Sequence, residues 1–158
     1  MSDFILSCES TVDMPFSYIE GRNISVIFYS YSVDGEEYAD DMLRDPDALS
    51  RFYGFLEDGK LPATSQINEY RYTEYFEELL RKGDVLHIAF GSGMTPSVKN
   101  AVSAAAALHE KYPSRNIIVL DSMCSSTGYG MLVEYAADLR DAGKSMDEIT
   151  EWVLAHRR

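Results

Sequence analysis

Short apolar runs alternate with longer stretches of helical periodicity along most of this chain. Residues 4–8 form an apolar run that ends at Glu9-Ser10-Thr11. Asp13-Met14-Pro15 then puts proline at a first helical position, which predicts strand, turn and short helix. Residues 24–31 are rich in β-branched and aromatic side chains and predict a strand running into a β-hairpin with Asp34-Gly35 as its turn. Behind Asp45-Pro46, with Asp45 as the cap, Leu49, Phe52, Tyr53 and Leu56 recur at helical spacing until Gly59 stops the helix. Pro62-Ala63-Thr64-Ser65-Gln66 reads as a turn. Tyr72, Tyr75, Phe76, Leu79 and Leu80 then mark one face of a helix closed by Arg81-Lys82-Gly83. Strands over 85–90 and 116–120 alternate with helices over 97–112 and 123–142. A last helix over 145–156 opens with Ser145 and Glu148 at capping-box spacing.

This alternation predicts an α/β fold: a three-layer domain with a mainly parallel sheet and crossover helices. The run of alanines at 101 and 104–107 makes one helix thin, which suits close packing rather than chemistry. No repeat or linker interrupts the 158 residues, so one domain over 1–158 is expected.

Composition narrows the partners. Against 14 basic residues stand 26 acidic ones, a formal charge of −12, which repels nucleic-acid phosphates and anionic bilayers. A small anionic ligand remains compatible, because local backbone donors can outweigh charge screened over about 10 Å. The N-terminus has no basic region and only a short apolar core, and no run has the length of a membrane span. The expected location is the cytoplasm, without membrane insertion. Cys8 and Cys124 form no Cys-x-x-Cys pair, so reduced thiols are expected and no metal or cofactor is implied.

Motifs for catalysis are missing. There is no Gly-x-Ser-x-Gly elbow, no phosphate-binding glycine loop, and the three histidines, His87, His109 and His156, read as structural or solvated. Asp40-Asp41 and Glu36-Glu37 read as solvated charge on a hairpin edge. Cys124, in the first turn of its predicted helix with no histidine or lysine nearby in sequence, reads as a structural thiol. What remains is a set of hydroxyl turns: Ser10-Thr11, Thr64-Ser65, Ser92 with Thr95 and Ser97, and Ser122 with Ser125 and Ser126. Helix capping can explain each one singly. In a parallel sheet, however, Ser10, Ser92 and Ser122 all fall at carboxyl ends of strands, where α/β folds bind ligands. Hydroxyls can hold an acid headgroup but supply neither base nor strong nucleophile, so binding is favoured over enzymatic activity.

Glu9-Ser10-Thr11-Val12-Asp13-Met14-Pro15 resembles the Asp-Ser-Thr-x-Asp-Leu-Pro opening of the DegV family. Pro62-x-Thr64-Ser65-Gln66 resembles that family's Pro-x-Thr-Ser-Gln turn, and Leu120-Asp121-Ser122 with Gly128-x-Gly130 its Asp-Ser-x-x-x-Ser-x-Gly-x-Gly segment. The resemblance implies the family's N-terminal α/β domain and a protein that binds a long-chain fatty acid by its carboxylate, in some members presenting it to a separate fatty acid kinase subunit. It also implies that Thr64, Ser65, Ser92 and Thr95 meet the headgroup, with Ser10 and Ser122 at the pocket edge. Two departures stand out: Gly91 replaces a serine of the family's hydroxyl turn, and Glu9 replaces the opening aspartate. The family's C-terminal, lipid-covering domain is absent from these residues. A tail left half exposed forfeits about 0.8 kcal/mol for each unburied CH₂, so a lone first domain is expected to bind weakly, to form a homodimer, or to be a fragment. The alternative expectation is a degenerate domain of this type that serves as an interaction or regulatory protein without lipid.

Overall fold

β1 (Phe4–Glu9) passes through a 3₁₀ turn (Ser10–Val12) into α1 (Phe16–Gly21) in the computed structural model, which describes residues 4–157. β2 (Ser25–Ile27) follows, then the hairpin of β3 (Ser30–Val33) and β4 (Glu36–Ala39), α2 (Ala48–Glu57) and β5 (Ala63–Ser65). The rest alternates: α3 (Glu69–Leu80), β6 (Asp84–Ala89), α4 (Ser97–Lys111), β7 (Ile117–Asp121), α5 (Ser126–Asp141) and α6 (Met146–His156).

Four strands form a parallel sheet in the order β2-β1-β6-β7, with Leu6 beside Leu86 and Ile88 beside Leu120. Its two faces carry separate cores, because successive strand side chains point to opposite sides. Leu6, Cys8, Leu86, Ile88 and Leu120 pack with Tyr129 and Val133 of α5 and Ile149 and Val153 of α6. Val85 packs with Tyr72, Phe76 and Leu80 of α3 and with Ala101, Ala104 and Leu108 of α4. This is the expected three-layer α/β arrangement. The α4 alanines let that helix lie close to both α3 and β7. Burial pushes the Cys8 thiol up, as does the neighbouring Glu9.

The hairpin region forms a second, antiparallel sheet in the order β4-β3-β5. Asp34 and Gly35 both have left-handed backbone angles (φ 52° and 87°), the pair a tight two-residue hairpin turn requires. α2 buries no residue fully. It lays Phe52 and Phe55 against the rings of Tyr31 and Tyr38 and leaves Leu49, Tyr53 and Leu56 exposed.

Several boundaries differ from the sequence reading. The single strand expected over 24–31 is two strands in two sheets. β1 ends at Glu9, so β2 loses its partner after Ile27, and the chain turns at Phe28-Tyr29 to start β3. The segment read as a turn at Thr64-Ser65 is the short edge strand β5, paired with Ser30–Ser32. Its three side chains are all exposed, so it shows no apolar alternation. α2 starts at Ala48 rather than at Pro46, because Asp45 turns its carboxylate onto the Asp47 N–H and Arg51 instead of capping. α5 starts at Ser126, three residues later than predicted. Met123 is left-handed, Asp121 accepts its N–H, and Cys124 therefore lies ahead of the helix. The Ser145–Glu148 capping box is present as predicted.

Candidate ligand-binding site

A cavity of about 670 Å³ opens where the antiparallel sheet meets the carboxyl ends of β1 and β6. Residues of the antiparallel sheet, of α2 and of the turns after β1 and β6 wall it, and its size is typical of small-molecule sites. One part of the wall is polar: Thr11 after β1, Tyr29 and Ser30 at the break between sheets, Thr64 and Ser65 of β5, and Thr95 before α4. The other part is apolar, from Leu43, Leu49, Phe52, Phe90, Met94 and Pro96. A larger groove lies at the opposite, amino ends of the strands, where Arg22 pairs with Asp141 and Lys144 with Glu148.

The decisive feature is a set of unsatisfied hydroxyls. Thr11 Oγ1, Tyr29 Oη and Ser30 Oγ are buried without a hydrogen-bond partner, and all three residues line this one cavity. A buried polar group left unpaired costs about 1–3 kcal/mol, so three beside one cavity single out this wall as a place for water or a ligand to supply the partners. Burial and then the nearby Glu9 carboxylate push the Tyr29 phenol up, so it stays a neutral donor near Thr95 and Ser97. Thr95 Oγ1 lies 2.8 Å from Ser97 Oγ and accepts the Ser97 N–H at 3.2 Å.

Of the residues singled out from sequence, Thr64, Ser65 and Thr95 come together on the cavity wall. Ser92 is elsewhere: it is exposed on the turn beside β6, its N–H bonded to Asp121 Oδ1 at 3.0 Å, and it is not among the wall residues. Burial works to raise the Asp121 carboxyl, but the bonds from Ser92 and Met123 hold it below its ordinary value. Ser10 and Ser122 do stand at carboxyl ends of strands, but their hydroxyls are used internally. Ser10 Oγ accepts the Tyr29 N–H at 3.0 Å, and Ser122 Oγ closes a turn with Cys124. Glu9, Tyr29 and Ser30 were not singled out as site residues, and Thr11 was noted only as part of a hydroxyl turn. Tyr29-Ser30 looked like strand interior, and the one available signal was a serine within an aromatic run.

Beneath the cavity lies a buried polar chain. Glu9 accepts from the Tyr72 hydroxyl at 2.5 Å and from the Phe90 N–H at 3.0 Å, with His87 Nε2 at 3.3 Å. His87 Nδ1 meets Ser7 Oγ at 2.9 Å, and Ser7 meets the Tyr75 hydroxyl at 2.8 Å. On the other face Tyr129 accepts the Glu9 N–H and donates to the Ile88 carbonyl at 2.6 Å. His87 is thus structural, as read from sequence, but through bonds rather than apolar packing alone. The network fixes the end of β1 and the start of the turn after β6, and so fixes the cavity wall.

A family model described as an uncharacterised protein of the DegV family matches residues 6–158. The chain belongs to the DegV family. A DegV domain-containing protein of Clostridium perfringens is 35% identical over 155 residues, which is 97% of this chain and 53% of that protein. The chain thus spans about half the length of the curated relatives it matches. The DegV fold is also seen in solved structures. A fatty-acid-binding DegV family protein from Thermus thermophilus superposes with a TM-score of 0.83 at 24% identity, over 99% of this chain and 54% of that one. The fatty acid kinase (Fak) B3 protein of Streptococcus pneumoniae, loaded with linoleic acid, gives 0.80 at 19% identity over 99% and 54%.

Relative to the DegV pattern, the glycine at 91 has a steric cause in this structure. A Cβ there would sit 2.6 Å from the Cys124 carbonyl oxygen and 2.8 Å from the Cys124 nitrogen, while the Gly91 N–H bonds that same oxygen at 3.0 Å. The loop after β7 has closed onto the turn after β6. A serine cannot stand at 91 unless the loop moves.

Proposed function

We propose that this chain is the headgroup-holding half of a fatty-acid-binding protein of the DegV type. The observation that carries the reading is the cavity whose polar wall offers Thr11, Tyr29 and Ser30 hydroxyls without partners and whose other wall is apolar. A single acyl chain fits that division: its polar end meets the hydroxyls and its tail lies along Phe52, Leu49, Leu43 and Met94. Thr64, Ser65 and Thr95 complete the headgroup contacts. Ser92, which is off the wall, contributes through the turn it shares with Thr95. The names of the two structural neighbours, one a fatty-acid-binding protein and one a fatty acid kinase B protein carrying linoleic acid, point the same way.

The role is binding and presentation. The wall supplies hydroxyls and rings, and phosphorylation of the bound acid would fall to a separate kinase subunit. Leu43, Leu49 and Met94 are 58%, 50% and 67% exposed. A tail crossing them is half covered, and a second copy of the chain is one way to close it.

Native mass spectrometry of the purified chain, with lipid extraction in parallel, tests the reading. The expected result is one bound fatty acid per chain, lost in Thr64→Ala/Ser65→Ala. A chain that carries no lipid and takes up neither palmitate nor oleate would overturn it in favour of an interaction domain.

A further inference from the structure

Four of the cavity's wall residues, Phe90, Met94, Thr95 and Pro96, come from the single turn between β6 and α4. Outside any strand pairing, the place of such a turn depends on where its main-chain N–H groups go. The Met94 and Thr95 N–H groups fold back onto the Gly91 carbonyl at 2.9 and 3.3 Å and give the turn its own shape. Its position comes from the three N–H groups that open it, which all donate outward. Phe90 donates to Glu9 Oε2, Gly91 to the Cys124 carbonyl and Ser92 to Asp121 Oδ1, each at 3.0 Å.

Two of these three anchors lead to one side chain. Asp121, the last residue of β7, accepts the Ser92 N–H directly. The same Oδ1 accepts the Met123 N–H at 2.9 Å, closing a short side-chain turn around a left-handed methionine (φ 54°). That bond holds Met123 against its own backbone preference, and the Cys124 carbonyl that follows is thereby set against the Gly91 N–H. The main chain of Asp121 is pinned in turn, because Arg157 Nη1, just beyond α6, donates to its carbonyl at 2.9 Å. Asp121 itself is half-buried and is not among the wall residues.

We infer that Asp121 is a positioning residue for ligand binding: its carboxylate ties the turn after β6 to the loop after β7 and so sets where Phe90, Met94, Thr95 and Pro96 stand on the wall. This rests on the lipid-binding reading and adds to it a residue that acts without touching the lipid. The role requires one oxygen placed to accept two N–H groups. An oxygen that reaches only Met123 keeps the loop in shape and releases the turn.

Three substitutions separate these contributions. Asp121→Asn keeps a side-chain carbonyl able to make both bonds. Asp121→Ser keeps an oxygen close to the main chain, which can accept the Met123 N–H in the corresponding serine turn but falls short of Ser92. Asp121→Ala keeps neither. Calorimetric titration with palmitate, at a temperature where circular dichroism shows each chain folded, gives the affinity, and amide exchange followed by NMR reads the Ser92 and Met123 N–H groups separately. Asp121→Ala is expected to bind roughly ten-fold more weakly than the parent, a loss of about 1.4 kcal/mol, and to lose protection at both amides. Asp121→Ser is expected to keep protection at Met123, to lose it at Ser92 and to bind several-fold more weakly, and it carries the test if Asp121→Ala does not fold. Asp121→Asn is expected to restore both protection and affinity. Ala and Ser variants that lose amide protection yet bind palmitate as tightly as the parent would overturn the inference and leave Asp121 as a support of the fold alone. An Asn variant that protects both amides but binds as weakly as the Ala variant would overturn it too, because the bonds would be present without the affinity. A parent chain that binds no palmitate would instead overturn the lipid-binding reading on which the inference rests.

Discussion

Glu9 at the end of β1 and Phe90 at the end of β6 are joined by one hydrogen bond, the Phe90 N–H donating to Glu9 Oε2 at 3.0 Å. That bond ties a buried carboxylate to a residue of the cavity wall, so stability and binding share it. The same carboxylate accepts from Tyr72 and lies beside His87. Removing it strands the Tyr72 hydroxyl and the Phe90 N–H and takes away the neighbour of His87 Nε2.

Glu9→Ala is therefore expected to destabilise the chain by about 3 kcal/mol, the order seen when one member of a buried polar set is deleted. Tyr72→Phe removes a single donor and keeps the ring packing, so about 1 kcal/mol is expected. Urea unfolding at neutral pH measures both. A Glu9→Ala midpoint equal to that of the parent would show that water replaces the carboxylate and that the network does not hold the wall.

Long periodic segments were legible in the sequence. The stripe of Tyr72, Tyr75, Phe76, Leu79 and Leu80 gave α3, and Ser145 with Glu148 gave the start of α6, because local pattern and capping determine such elements. Of the hydroxyls grouped through the family resemblance, Thr64, Ser65 and Thr95 share the cavity wall and Ser92 does not. The second sheet was not legible in the sequence. β5 has three exposed side chains and exists only through backbone pairing with β3, which leaves no trace in side-chain pattern. Tyr29 and Ser30 escaped for a related reason. Their importance lies in what their hydroxyls lack, and an unmet hydrogen bond exists only in three dimensions.

Gly91→Ser would restore the serine of the family turn, yet no gain in lipid affinity is expected. Its Cβ would meet the Cys124 backbone at 2.6 Å, and the neighbour is main chain that cannot rotate aside. Overpacking of this kind costs about 1–3 kcal/mol. A lowered thermal midpoint with lipid affinity unchanged or reduced is the expected pair of readings. A tighter-binding, equally stable variant would show that the loop after β7 moves freely.

Acid lability has a specific contributor on α3. Glu77 accepts from Lys111 at 2.7 Å and from the Tyr112 hydroxyl at 2.6 Å, in that order of influence, which hold its carboxyl down to about 2 from the ordinary 4.5. A carboxyl depressed in the folded state stabilises above its unfolded value and loses that contribution as pH falls through the folded one. Stability is thus expected to decline between pH 4.5 and about 2, less steeply in Glu77→Gln than in the parent. Denaturant midpoints across that range, at low and high salt, provide the check. The difference between the two proteins should shrink with salt because the Lys111 partner is exposed. Parallel declines would mean that other acids govern the transition.

Ser30 and Thr11 separate binding from folding most cleanly. Their hydroxyls are buried and without a protein partner, so each is a cost to the folded state that a bound headgroup can remove. Ser30→Ala and Thr11→Val delete that cost while keeping shape. The free variants are expected to be as stable as the parent or more stable by about 1 kcal/mol. Lipid affinity should move the opposite way, falling several-fold, because the bound headgroup loses a partner in each case. Thermal midpoints measured with and without palmitate give both quantities from one experiment. The parent should gain more from ligand than either variant, since ligand-induced stabilisation follows affinity at fixed ligand concentration. Variants that lose stability without ligand and keep the full ligand-induced shift would show that these hydroxyls serve the fold and not the cavity.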